Sequence, residues 1–175
     1  MSCRHSSKRP AKVLEGESFL PVLLGKKTEH KRHVFGIMTT RGIINGSPHY
    51  GIRSVRSRQY KYIRNLTPDV PFRNVAMRSP IFQSWQAKAE RGDADAAEKV
   101  RRYQQRPSEE LYDVSEDPTE WSNLADDPRH EIIKADLRRR LDAWMQAQGD
   151  QGQATELEAL KHQARNRGKK RRRKD

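Results

Sequence analysis

Between Thr39 and Arg53 the chain collects side chains able to hold an anion. Thr39-Thr40-Arg41-Gly42 is followed by Asn45-Gly46-Ser47-Pro48-His49-Tyr50, with Arg53 beyond. The Gly, Asn, Ser and Pro residues mark a loop, and binding groups concentrate on loops held by rigid elements. An arginine guanidinium meets a sulfate, phosphate or carboxylate through a planar fork of donors, and a histidine adds a donor that is neutral or charged near pH 7. The same residue types also have a plainer use, in which Arg41 and Arg53 pair with acidic residues of the chain and His49 serves as a turn residue. Residue types alone favour the plainer use.

Other chemistry is scarce. Of six histidines, only His30 and His33 approach ligand spacing, and they sit in Glu29-His30-Lys31-Arg32-His33, where two cations repel a metal; this reads as a solvated loop. Cys3 is the single cysteine, so neither an internal disulfide nor a paired-thiol metal site is expected. The chain contains no Gly-rich phosphate loop, H-E-x-x-H helix or G-x-S-x-G elbow. We therefore expect no catalytic residue and no metal site within it.

The loop needs strands on either side. His33 to Thr40 and Tyr50 to Arg56 are rich in β-branched and aromatic residues, and Tyr60 to Leu66 follows the second across the short polar link Ser57-Arg58-Gln59, a hairpin signature. Imperfect alternation leaves open which face is buried. Ser79-Pro80 is positioned to cap and start a helix running toward Gly92, and Asp93 to Arg106 reads as a second, mostly polar helix. Glu110 to Val114 reads as a last strand. Asp127 as N-cap with Pro128, then Ile133, Leu137, Leu141, Trp144 and Met145 at spacings of three and four, predict a long amphipathic helix ended by Gly149. Its stripe must cover the strands. The predicted class is α+β, a small antiparallel sheet of three to four strands packed against a long C-terminal amphipathic helix, with a disordered basic tail.

Composition bounds the rest. The chain has 175 residues, Lys+Arg 36 against Asp+Glu 23 for a net charge of +13, and 33% hydrophobic residues. Soluble domains carry about 45–50% apolar residues, so part of this chain stays outside any core. No apolar run nears the roughly 20 residues a membrane-spanning helix needs, so no membrane contact is expected, and no secretory signal is evident after Met1 to Lys12. Arg165 to Asp175 alone holds +7 of the charge, a block that repels itself and attracts polyanions in a salt-dependent way. The expected divisions are a disordered lead-in over 1–13, a folded subdomain over 14–150, and a polar, basic disordered tail over 151–175.

Several phrases carry a resemblance. Gly16-Glu17-Ser18-Phe19-Leu20-Pro21-Val22-Leu23-Leu24, Ile52-Arg53-Ser54-Val55-Arg56, Tyr60-Lys61-Tyr62-Ile63-Arg64-Asn65-Leu66, Glu110-Leu111-Tyr112-Asp113, Asp117-Pro118-Thr119-Glu120 and Asn123-Leu124-Ala125 together resemble the C-terminal subdomain of the sulfatase family. The first of the Arg-containing phrases and the Tyr60 phrase are most similar to sulfamidases, the heparan N-sulfatases or N-sulfoglucosamine sulfohydrolases. The resemblance implies removal of sulfate from N-sulfoglucosamine or a related sulfated glycan by a complete enzyme that uses calcium and a formylglycine. Both belong to the segment preceding this one in the family, and Cys3, followed by Arg4-His5-Ser6-Ser7, lacks the C/S-x-P-x-R pattern of a formylglycine precursor. The implied partners are that N-terminal catalytic half and a sulfated glycan, while Arg165 to Lys174 would bind polyanions weakly, as a non-catalytic module's tail would. In the family the first loop of this subdomain helps shape the substrate pocket. The matching stretch is Met38 to Tyr50, which makes Thr39, Arg41 and His49 the candidate substrate contacts.

Overall fold

The computed structural model describes residues 16–39, 46–47 and 49–162. They fall into two compact units, Met1–Arg32 and His33–Asp175. The lead-in 1–13 and the basic run from Arg165 lie outside the described residues. Within the first unit, α1 (Leu20–Leu23) is a single turn with a proline at its start. Gly25 follows at φ 66°, a left-handed conformation that glycine adopts without a Cβ penalty. Phe19 meets His30 edge-on at 5.2 Å, and Leu20, Leu23 and Leu24 are exposed.

The second unit is built on a four-stranded antiparallel sheet in chain order: β1 (Val34–Thr39), β2 (Gly51–Arg56), β3 (Tyr60–Asn65) and β4 (Glu109–Asp113). Register aligns Phe35, Val55, Tyr62 and Leu111 across the four strands on one face. On that face lies α4 (Glu131–Ala147), whose Leu137, Leu141 and Met145 are buried against Val55, Tyr62 and Leu111. Burying Leu137 and Leu141 contributes roughly 1.5–3 kcal/mol each. Phe35 stacks on Trp144 at 5.0 Å, and Arg138 reaches from the helix to the Glu109 carboxylate at 2.6 and 2.8 Å, tying helix to sheet edge. The expected α+β arrangement is the one that forms.

Asp127 and Pro128 do not start α4 directly. They open a 3-10 turn over Pro128–His130, with the Asp127 carboxylate accepting the Arg129 N–H at 3.0 Å, and α4 continues from it at Glu131. A capping carboxylate and a fixed proline φ suit a tight turn as well as a helix start.

Both faces of the sheet are buried in its central part, which is why alternation was imperfect. Ile63, Asn65, Glu110 and Tyr112 are buried on the face away from α4. There Tyr50 meets Phe72 at 5.2 Å, Phe72 meets Tyr103 at 5.9 Å, and Tyr103 meets Phe82 at 5.1 Å. This aromatic chain ties the sheet to α2 (Pro80–Glu90) and α3 (Ala94–Gln104). The Ser79 hydroxyl caps α2 by accepting the Phe82 N–H at 3.2 Å, and Asp93 caps α3 through the Ala96 N–H at 3.0 Å.

The tail boundary expected at 151 moves. Residues from Gln153 to Glu158 form α5, followed by a 3-10 turn over Ala159–His162. The segment is polar, but one of its carboxylates is buried and paired, which the hydropathy pattern reads as solvated.

Candidate functional site

The loop that the sequence singles out runs from the end of β1 to the start of β2. Thr39 pairs with Gly51 across these strands, so the two ends of the loop meet at the sheet margin. Beneath that margin lies a buried charge cluster. Arg53, two residues into β2 from Gly51 and on the same face, is only 1% exposed. Its Nε donates to the Asp150 carboxylate, and its Nη2 donates to Glu156 at 2.8 Å and to the other Asp150 oxygen at 3.3 Å. Nη1 donates to the Ile52 carbonyl at 3.1 Å. The side chains of Asp150 and Glu156 are 5% and 3% exposed. Thr39 completes the cluster by donating its hydroxyl proton to the second Glu156 oxygen.

The electrostatics follow from this geometry. Burial works against the charge on Arg53, but its hydrogen bonds to Asp150 and Glu156 outweigh that effect and hold its pKa above the ordinary guanidinium value. Burial likewise opposes ionisation of Asp150, and the Arg53 fork together with the Gly152 N–H holds its carboxyl below the ordinary range. Close approach is enforced at Gly51, where a Cβ would stand 2.6 Å from the Glu156 Cγ and 2.8 Å from the Leu66 Cδ1.

Arg53 thus takes the plainer of its two uses, as an ion-pair residue. Its partners come from the far end of the chain, and no sequence signal marked Asp150 and Glu156. Of the three candidate contacts, Thr39 stands at one side of the loop mouth with its proton committed to Glu156, and Arg41 lies outside the described residues. His49 stands at the other side, half-buried, at φ 56°. That left-handed conformation is uncommon outside glycine, and histidine is among the residues enriched in it. The stretch before it is anchored: the Ser47 hydroxyl donates to the Pro71 carbonyl and the Ser47 N–H to the Arg73 carbonyl at 3.1 Å. The structure therefore places Thr39 and His49 at one sheet margin, with Ser47 anchored beside His49.

Among the described residues no group of three or more His, Cys, Asp or Glu side chains converges to hold a metal ion, and the two carboxylates nearest the loop are engaged by Arg53. No described helix is long and apolar enough to cross a membrane.

No family model matches the chain. It is 36% identical over 140 residues to an ulvan-active sulfatase of Formosa agariphila, a match covering 78% of this chain and 25% of that protein. To the human N-sulphoglucosamine sulphohydrolase it is 34% identical over 134 residues, covering 75% and 26%. A second ulvan-active sulfatase of Formosa agariphila is 32% identical over 112 residues, covering 62% and 19%. Among solved structures it is similar to a sulfatase from Bacteroides thetaiotaomicron described as putative and to a 2-O GAG sulfatase. These align with TM-scores of 0.48 and 0.47, each at 23% identity over 81% of this chain and 22% of theirs. Over most of its length the chain is a sulfatase-family sequence. It spans between 19% and 26% of the length of those three relatives.

Proposed function

We propose that this chain forms one wall of the substrate pocket of a sulfatase acting on a sulfated glycan, joined to a catalytic segment that supplies the metal site and the formylglycine. The observation that supports it is the loop between β1 and β2 in a sulfatase-family sequence, seated on a buried Arg53 cluster at one end and on the Ser47 anchor at the other. A pocket wall must hold its donors close to the productive position, and the supports described here stand at the two ends of the loop. Arg41 and His49 donate to sulfate, carboxylate or hydroxyl groups of the sugar, and Thr39 fixes the base of the loop. The reaction is hydrolysis of a sulfate from N-sulfoglucosamine or a related sulfated sugar. The named activities of the relatives, on ulvan and on N-sulphoglucosamine, set the two substrate classes to compare.

The test joins the chain to the polypeptide encoded directly upstream and follows sulfate release from N-sulfoglucosamine and ulvan oligosaccharides. Release is expected from the joined protein and none from the chain alone. Arg41→Ala and His49→Asn, the latter chosen because Asn tolerates the left-handed conformation, should raise KM more than they lower kcat. Absence of release from the joined protein, calcium-dependent release by the chain alone, or unchanged KM in both variants would each refute the proposal.

A second reading rests on charge. The +7 carried by Arg165 to Asp175 favours salt-sensitive, sequence-independent binding of nucleic acid or an acidic glycan, with Arg165 to Lys174 as the contact.

A further inference from the structure

The last turn of α3 and the start of β4 border a cleft of about 380 Å³, lined by Arg101, Arg102, Arg106, Glu110, Tyr112 and Asn123 among others. Three guanidinium groups face one carboxylate in this lining. Glu110 is largely spoken for, because its oxygens accept from the Asn65 amide and from the Tyr112 hydroxyl, each at 2.6 Å. What remains of its charge meets Arg106 at 3.8 Å, too far for a hydrogen bond.

Two of the arginines are held in place before any ligand arrives. Arg102 lies over the Trp121 ring, 4.3 Å from its centroid, and donates to the Trp121 carbonyl. Arg106 lies over the Phe72 ring at 5.2 Å. Placement over an aromatic ring restrains a guanidinium while leaving it further N–H donors for a ligand. The Nε of Arg106 is buried and has no acceptor among the described residues. That unmet donor leaves the guanidinium with hydrogen-bonding capacity that the fold itself does not use. Arg101 adds charge at the rim, where it pairs with Glu98 at 2.7 Å in a solvent-exposed contact that competes weakly.

We infer that this cleft is an oxyanion site, with Arg102 and Arg106 as the pre-positioned donors, Arg101 at the rim and the Asn123 amide beside them. Its ligand class is a small molecule or sugar bearing a sulfate, phosphate or carboxylate group. Such groups match the guanidinium fork in geometry, and a spherical halide does not. The inference depends on the geometry of the cleft alone and stands whether or not the chain serves a sulfatase.

The test uses the full chain, isotopically labelled, titrated with sodium sulfate, sodium phosphate or sodium acetate against sodium chloride at matched ionic strength. The Trp121 indole N–H and the Asn123 side-chain amide report the cleft apart from the basic terminal run. A saturable shift of both with at least one oxyanion, absent with chloride, is expected, and the strongest of the three assigns the ligand group. Arg101→Gln with Arg102→Gln removes two of the three guanidinium groups and should weaken the affinity at least tenfold with the circular dichroism unchanged. Arg106→Lys keeps a cation beside Glu110 and should also weaken it by removing the fork. Linear shifts that chloride reproduces, or saturable binding that survives the Arg101/Arg102 substitution, overturn the inference.

Discussion

Replacing Arg53 with methionine removes one cation and leaves Asp150 and Glu156, both nearly inaccessible to solvent, without it. Breaking a buried ion pair by deleting one partner costs about 3–5 kcal/mol, because the surviving charge has lost its water and gained nothing. Total stabilities of natural domains are about 5–15 kcal/mol, so this single change consumes a large part of the margin. For a chain of this size it lowers the melting temperature by roughly 6–20 °C. The pH dependence separates this explanation from mere loss of packing. In the natural chain Asp150 has a folded pKa below its unfolded value near 3.9, so its stabilisation is complete above that value and fades as pH falls through the folded pKa. In the variant Asp150 is buried without its cation, its folded pKa rises above the unfolded one, and its protonation on acidification stabilises the fold. The stability gap should therefore narrow between pH 7.5 and 4.5. Urea unfolding followed by circular dichroism at both pH values measures it. Adding Asp150→Asn and Glu156→Gln to Arg53→Met should recover most of the loss at pH 7.5. A deficit below about 1 kcal/mol, or one equal at the two pH values, would show that the charges are not what the cluster contributes.

Three further outcomes are expected. Gly51→Ala places a Cβ against Glu156 and Leu66 and should destabilise by about 1–3 kcal/mol, read as a fall in urea midpoint with an unchanged slope; an unshifted midpoint would contradict the close approach. Ending the chain after Gly149 removes Asp150 and Glu156 together and should lower the melting temperature, whereas ending it after His162 should leave it where it was. Deleting Arg165 to Asp175 takes +7 of the +13 net charge and should lower the salt concentration needed to elute the chain from a polyanion column without altering the melting temperature, and an unchanged elution point would remove the tail from consideration.

The strands could be read from their β-branched and aromatic content and hairpin link, and α4 from apolar residues recurring at spacings of three and four. Val55, Tyr62, Leu111, Leu137 and Leu141 are apolar where they are inside. The Ser79 cap was visible for a similar reason, since a hydroxyl before a proline has a local partner three residues on. The parts that escaped are polar groups held by residues distant in sequence. Arg53 and Glu156 look solvated in any local window, and only the fold shows that each makes the other's burial possible. The same blindness hid α5, and it hid the cleft where Arg102, on the polar α3, lies over Trp121 and Arg106, just beyond that helix, lies over Phe72. At the candidate pocket, sequence located the loop mouth but not the direction in which the Thr39 proton points.

The separation of Arg53 from its two carboxylates, 97 and 103 residues along the chain, also sets an order of events during synthesis. At about 5–20 residues per second, Glu156 is made roughly 5–20 s after Arg53. Throughout that interval the first three strands can pair locally, but they carry a bare cation on the surface that α4 must cover, and covering it early would strand the charge away from water. Contacts of such long range form slowly compared with hairpin formation. The ribosome must deliver nearly the whole described chain before the native arrangement becomes the favourable one.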